Sequence, residues 1–288
     1  MNTITLIIII IAILILFFAV VMAVDTHRFK IREYEISSDR ISRDLDIVFL
    51  TDLHSKRFGR NNLKLIDAIN GINPDAVFVG GDMYTAAFSD KGEVAVSLIG
   101  KLSERYPVYC ANGNHEQKTK ERPEEFPGIY DAYRRLVTET GAILIENDSV
   151  LIKENNVRIY GLELPFRYYR KLGRENPGVE VIKDILGDPH EDEFSVLMAH
   201  NPQYFDDYAG WGADLTLSGH VHGGLVRLPI IGGVLSPNYR FFPKYSGGRY
   251  EIGPSVMVLS CGLGTHHIPL RVFNPGELTC VRLRSEKK

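Results

Sequence analysis

Leu45-Asp46-Ile47-Val48-Phe49-Leu50 runs directly into Thr51-Asp52-Leu53-His54, and this join between an apolar run and a polar tip decides how the fold is read. Six residues rich in β-branched and large apolar side chains predict a strand buried on both faces. The same join recurs downstream. Residues 75–79 end in Gly80-Gly81-Asp82, and residues 107–110 end in Asn112-Gly113-Asn114-His115-Glu116. Between them, residues 62–71 carry Leu63, Ile66 and Ile69 at helical spacing, and residues 92–102 read as a second helix. Strand, polar tip and helix in repetition predict an α/β fold with a mostly parallel sheet and crossover helices. Functional groups in such sheets gather at the carboxyl ends of the strands.

Further along, residues 119–136 are charged, contain proline and turn helical. Residues 142–146, 149–153 and 157–162 read as a strand meander with a turn at Asn155-Asn156. Residues 163–193 are charged and irregular around a helix near 179–186, and are expected to be peripheral. Ser195-Val196-Leu197-Met198-Ala199 then delivers His200-Asn201-Pro202, and residues 213–217 deliver Ser218-Gly219-His220-Val221-His222-Gly223-Gly224. In an extended backbone, His220 and His222 point to one face, roughly 6.6 Å apart along the strand. That spacing suits two ions about 3.5–4 Å apart better than one. Residues 228–248 show no clear period, while 255–260, 270–273 and 278–283 read as further strands.

The composition is that of a globular chain of 288 residues, 44% hydrophobic and 24% charged. A net charge of −3 provides no basic footprint, so nucleic acid is not an expected partner. Cys110, Cys261 and Cys280 are too scattered for a disulfide framework or zinc knuckle and read as core residues of a reducing compartment. Residues 4–24 are different: they are uncharged and apolar, long enough as a helix to span a bilayer. Val21-Met22-Ala23 offers a signal-peptidase reading, but the run exceeds a normal signal core and no Lys or Arg precedes it. The expectation is an uncleaved anchor. Arg28, Lys30, Arg32, Arg40 and Arg43 follow it, and the positive-inside rule then places the C-terminal domain in the cytoplasm. Within residues 25–43, Tyr34-Glu35-Ile36-Ser37 is a candidate edge strand.

The strand tips together supply Asp52, His54, Asp82, Asn114, His115, His200, His220 and His222. Each alone has an ordinary alternative: an aspartate can cap a helix, Gly-Asp can form a turn, and a single histidine is usually structural. Five of the nine histidines nevertheless end apolar runs beside acids or glycines. Carboxylates, imidazoles and an amide without cysteine suit Mn, Fe or Zn in a non-thiolate site. Asp52 and His54 can reach one ion, and Asp82 is the candidate bridge to a second. Two divalent ions against two aspartates leave a positive surplus that favours a phosphate and an ionised water.

With these blocks in place the chain resembles the calcineurin-like metallophosphoesterase family. Asp52-Leu53-His54, Gly81-Asp82, Gly113-Asn114-His115-Glu116, His200 and Gly219-His220-Val221-His222 occur in the family's order, and the resemblance runs from about residue 44 to the C-terminus. His200-Asn201-Pro202, residues 219–224, and Gly262-Leu263-Gly264 followed by Pro269-Leu270-Arg271 look like its membrane-associated branch of phosphodiesterases and UDP-2,3-diacylglucosamine pyrophosphatase-like enzymes. Leu225 departs from that branch, which often has Gln there. The resemblance implies a four-layer α/β/β/α sandwich, its second sheet drawn mainly from the C-terminal half. It assigns residues 44–288 to the metallophosphoesterase domain, which follows the anchor read at residues 4–24 and a mixed-charge juxtamembrane segment at 25–43. It implies one metal held by Asp52, His54, Asp82 and His222, and another by Asp82, Asn114, His200 and His220. His115 would then be the catalytic residue facing the phosphate.

The expected reaction is in-line attack on phosphorus by a hydroxide shared between the two ions, with His115 as acid or transition-state donor. Lys56 and Arg57 are candidate substrate contacts, with solvated surface charge as the equal alternative. His266 and His267 follow a Gly-rich loop, and His267 is carried as a further candidate. Arg271 reads as a partner in a structural ion pair. The substrate is expected to be a phosphoester. The anchor, with the apolar residues 230–235 and Phe241-Phe242, points to a lipid-linked one, although these segments could equally close the core. A nucleotide-sugar lipid pyrophosphatase is the competing enzyme, and a non-catalytic membrane-tethered binding protein the competing class.

Overall fold

The apolar runs form strands and the periodic segments pack on them as helices in the computed structural model, which describes residues 2–170, 175–224, 226–228, 232–235, 241–265 and 271–287. The chain begins with α1 (Thr3–His27), a 25-residue apolar helix that satisfies the length and hydropathy of a membrane span. Then come β1 (Phe29–Ser38), β2 (Leu45–Leu50), α2 (Leu63–Ile72), β3 (Ala76–Val79), α3 (Glu93–Ser103) and β4 (Val108–Cys110). They are followed by α4 (Asn114–Glu121), α5 (Ile129–Glu139), β5 (Ile143–Leu144), β6 (Asp148–Ile152) and β7 (Val157–Leu162). The C-terminal half adds α6 (Gly178–Leu186), β8 (Phe194–Ala199), α7 (Phe205–Trp211), β9 (Leu215–Ser218), β10 (Val226–Leu228) and β11 (Gly232–Leu235). It closes with β12 (Gly248–Ile252), β13 (Ser255–Leu259) and β14 (Gly276–Ser285).

Two six-stranded sheets face each other. The first has the order β1-β14-β2-β3-β4-β5 and the second β12-β13-β9-β8-β7-β6. In the first sheet β2, β3, β4 and β5 are parallel, and in the second β7, β8, β9 and β13 are. Residues of β2 alternate between two cores. Ile47 and Phe49 point between the sheets, against Ile159, Val196 and Leu217 of the second. Val48 and Leu50 point outward, against Leu65, Ile69, Leu98 and Leu102 of α2 and α3. On the far face of the second sheet, Leu197 and Leu259 meet Ile182, Phe205, Tyr208 and Trp211 of α6 and α7. Helix, sheet, sheet, helix is the expected four-layer arrangement.

Four expectations change. Residues 142–162 are not a meander: β5 pairs with β4 in the first sheet, while β6 and β7 form a hairpin in the second. Asn147 takes a left-handed φ of 52° and turns the chain between sheets, which alternation of apolar residues does not encode. The candidate edge strand extends to ten residues, paired along its length with β14, so residues 29–38 belong to the first sheet. Residues 163–193 are not all peripheral, because Glu163, Leu164, Tyr168 and Ile182 are buried. Within residues 270–273, Val272 forms only an isolated bridge to Val226, and Leu270 lies outside the described residues. The three cysteines are buried and free, as core residues should be.

Arg271 also differs from expectation. Among the described residues it forms no ion pair, and its buried guanidinium donates to the carbonyls of Gly264 at 3.0 Å, Cys261 at 2.9 Å, Gly262 at 3.1 Å and Asn274 at 3.1 Å. One planar cation thus gathers residues 261–264 and 274 around a common centre. Arg271→Ala would orphan these carbonyls at a cost of about 3 kcal/mol. The thermal midpoint of the full chain in detergent micelles should then fall by about 6–12 °C. A fall of less than about 2 °C would mean that the loop holds itself.

Candidate metal centre

Five strand ends meet at one edge of the interface between the sheets. β2 delivers Asp52 and His54, β3 delivers Asp82, and β4 delivers Asn114 and His115. From the opposite sheet β8 delivers His200, and β9 delivers His220 and His222. The backbone at these tips is not extended. Asp52, His54, Asp82, His220 and His222 hold φ values of 54°, 47°, 50°, 72° and 51°. Left-handed turns, not an extended strand, therefore aim the rings of His220 and His222. Left-handed conformations in non-glycine residues cost of order 1 kcal/mol or more each and persist where the surroundings enforce them.

The side chains cluster around two buried carboxylates, Asp52 and Asp82, each of which approaches imidazoles on both sides of the centre. Asp52, His54 and His222 bring ligand atoms within 4.8 Å of one another, and so do Asp82, His200 and His220. Asp82 Oδ2 lies 3.9 Å from His54 Nε2 on one side and 3.1 Å from His200 Nε2 on the other. Asp52 Oδ1 is 3.4 Å from His222 Nε2 and 3.7 Å from His200 Nε2. His220 Nδ1 lies 2.6 Å from Asn114 Oδ1. His54 Nε2 faces His222 Nε2 at 3.2 Å. His115 stands at the rim of the first group, its ring 4.9 Å from that of His54 and its Nε2 4.0 Å from Asp82 Oδ2.

A second set of residues fixes these groups. Glu116 accepts backbone N–H bonds from Asp82 at 2.8 Å, Met83 at 2.9 Å and Gly113 at 2.9 Å, tying the second tip to the third. A Cβ on Gly219 would sit 2.1 Å from Asp52 Oδ2, so only glycine lets the fifth tip approach the first. The His220 N–H then donates to Asp52 Oδ1 at 2.9 Å. Asn274 Nδ2 donates to the carbonyls of His222 at 2.7 Å and Gly224 at 2.8 Å. Beneath the third tip, Glu163 pairs with Lys120 at 2.8 Å and accepts a hydrogen bond from Asn112. Glu116 was visible beside His115 in the sequence, but nothing there signalled the roles of Asn274 or Glu163, which arrive from distant segments.

A family model described as calcineurin-like phosphoesterase matches residues 45–224. The chain belongs to that family. A Bacillus subtilis (strain 168) relative named uncharacterized metallophosphoesterase YkuE is 28% identical over 91% of this chain and 87% of its own length. Phosphodiesterase YaeI of Escherichia coli (strain K12) is 26% identical over 82% of this chain and 81% of its own. A Danio rerio protein named transmembrane protein with metallophosphoesterase domain is 27% identical over 88% of this chain, which spans 57% of that protein.

Calcineurin-like phosphoesterases are metal-dependent, and the donor geometry here fits metal. His200 Nδ1 lies 2.8 Å from the Gly80 carbonyl, which fixes its N–H there and turns Nε2 toward Asp52 and Asp82. The Nε2 atoms of His54 and His222 and the carboxylates beside them converge on a common space, a donor set suited to a divalent cation. In the metal-free chain protons take that part. Burial pushes Asp52 up to about 6. Burial works against a charged His200, but Asp82 and Asp52 outweigh it and raise His200 to about 10. Burial alone would raise Asp82, yet the His200, His115 and His54 imidazoles hold it well below the usual carboxylate range. Burial and Asp82 push Glu116 up to about 7.

Of the candidate substrate contacts, Lys56 Nζ reaches the Leu263 carbonyl at 3.3 Å and lies 4.7 Å from the Phe58 ring centroid, and burial lowers it to about 8. Arg57 is exposed. His266, His267 and Leu225 lie outside the described residues.

Because the His200 pKa is raised, metal must displace a proton at any pH below about 10, and apparent affinity should climb with pH through the neutral range. Titrating Mn²⁺ into the metal-free full chain at pH 7.5, in buffers of different ionisation enthalpy, should show release of about one proton per chain. Release of none would contradict this electrostatic account.

Proposed function

We propose that the chain is a dinuclear-metal phosphodiesterase acting at the membrane surface. One ion would be held by Asp52, His54, Asp82 and His222, and the other by Asp82, Asn114, His200 and His220. The observation that carries the proposal is the position of the Asp82 carboxylate between the two imidazole groups, 3.9 Å from one and 3.1 Å from the other. Bound there, the ions would supply a water of lowered pKa and positive charge for the phosphoryl oxygens.

The protein's own contribution centres on His115. The Ala86 N–H donates to His115 Nδ1 at 2.7 Å, so Nδ1 is an acceptor and the ring proton sits on Nε2. Nε2 is the nitrogen nearer Asp82, and hence nearer the space a phosphate would occupy. The arrangement supports proton donation from Nε2 toward the leaving oxygen or a phosphoryl oxygen. Helix α4 begins at Asn114, so its first-turn N–H groups add a fixed positive pole beside the same space.

The phosphodiesterase reading is supported by the name of the Escherichia coli relative. A lipid-linked substrate is supported by the anchor: the Phe17 and Phe18 rings of α1 lie 6.3 and 6.2 Å from the ring of Phe273 in the domain. The same contacts favour an uncleaved helix over a removed signal sequence. The basic residues that follow it favour a cytoplasmic domain.

His115→Ala should keep a wild-type metal content and lose on the order of 10²–10⁴-fold in turnover of bis(p-nitrophenyl) phosphate. Asp82→Asn should lose both ions and the activity together. If His115→Ala also emptied the centre, the division between ligands and proton donor would be wrong. A metal-loaded wild type inert toward soluble and lipid-linked phosphodiesters alike would point instead to a binding protein.

A further inference from the structure

The anchor helix is joined to the domain at its exit. Asp25 sits in the last turn of α1, where the negative pole of the helix disfavours an acid, yet it is 1% exposed. Its carboxylate accepts the Asn274 N–H at 3.0 Å and pairs with Arg28 at 2.7 Å. Deeper along the helix, Phe17 and Phe18 contact Phe273. Phe18 precedes the end of the apolar run by six residues, or about 9 Å of helix. Phe273 therefore reaches below the level at which the helix leaves the hydrocarbon. It holds a left-handed φ of 54° and keeps 36% of its surface exposed. A strained, exposed aromatic beside a membrane-spanning helix is placed as a wedge into lipid.

Beside the wedge lies a groove of about 320 Å³ lined by Arg28, Phe29, Lys30, Phe273 and Pro275. Its charge is not balanced. Glu277 is matched to Arg32 at 3.1 Å, and Asp25 to Arg28, whose side chain is still 60% exposed. Lys30 stands opposite Glu277 across the β1–β14 pair, and that carboxylate is already engaged by Arg32. The groove thus presents cations at the depth of lipid phosphates, with an aromatic wall continuing toward the acyl region.

We propose that this groove holds the head group of an anionic phospholipid from the surrounding leaflet, its phosphate against Lys30 and Arg28 and its chains along Phe273, Phe18 and Phe17. The site is separate from the metal centre but adjoins it. Asn274, held by Asp25, is the residue that carries the carbonyls of His222 and Gly224. On the other side Phe29 packs on Phe58 at 5.0 Å, and Phe58 lies beneath Lys56. A lipid in the groove would hold the mouth of the centre against the bilayer. The inference rests on the membrane-anchor reading and not on the reaction.

The test is native mass spectrometry of the full chain released from dodecyl maltoside micelles containing equal amounts of dioleoylphosphatidylglycerol and dioleoylphosphatidylcholine. Phosphatidylglycerol adducts should exceed phosphatidylcholine adducts about fivefold, the factor one interfacial cation provides. Lys30→Ala should bring the two to parity, Lys30→Arg should keep the preference, and Lys101→Ala on exposed α3 surface should leave it unchanged. Equal retention by wild type, or an undiminished preference in Lys30→Ala, would overturn the proposal. So would displacement of the lipid by millimolar inorganic phosphate, which would mark a free-anion site, or a second copy of the chain in its place. Metal-stripped protein should give the same pattern, so the result stands apart from whether the centre hydrolyses phosphodiesters.

Discussion

Two aspartates, Asp52 and Asp82, are buried to within 1% of complete exclusion from solvent in one cluster of imidazoles at the edge of both sheets. Isolated carboxylates are not stable in such a place without cations close by. The surrounding protein is arranged to keep them there. Thr51 Oγ1 donates to Asp52 at 2.9 Å and the His115 N–H donates to Asp82 at 2.8 Å. The remaining charge is left for the imidazoles, which answer it with protons or share it with metal. Glu116, a third buried carboxylate, is spent on backbone N–H groups and keeps the loops together.

Strain at the tips follows from that demand. Five of the clustered residues hold left-handed backbone conformations, and Gly219 and Gly113 lie where a Cβ would collide with an aspartate oxygen. Rigid parallel strands on both sides, each buried on two faces, provide the stability against which this strain is maintained. β1 and β14 lock the outer edge of the first sheet through ten paired positions, and Arg271 gathers residues 261–264 against Asp52. Asn274 then joins the His222 turn to the exit of the N-terminal apolar helix, so the centre, the second sheet and that helix share one piece of loop.

The sequence made the strand tips legible because a doubly buried strand reads as an unbroken apolar run, and the polar residue that ends it stands out. Asp52, Asp82, His115, His200 and His220 were found that way, and the structure brings them together. Spacing was less informative. An extended strand would bring Asp52 and His54 to one ion and divide His220 and His222 between two, whereas left-handed turns aim all four side chains. Sheet membership was not legible either: the run at 142–162 reads the same whether it stays in one sheet or crosses to another at Asn147. Residues that act from a distance left no local signal. Asn274, Asp25 and Glu163 look like ordinary loop and helix-end polar residues until tertiary contacts show what they hold.

X-ray absorption at the metal edge of the full chain reconstituted with Mn²⁺ tests the central claim most directly. The account predicts a first shell of nitrogen and oxygen only, together with a second metal scatterer at about 3.5–4 Å. A sulfur in the first shell, or a single ion without a metal neighbour, would contradict it.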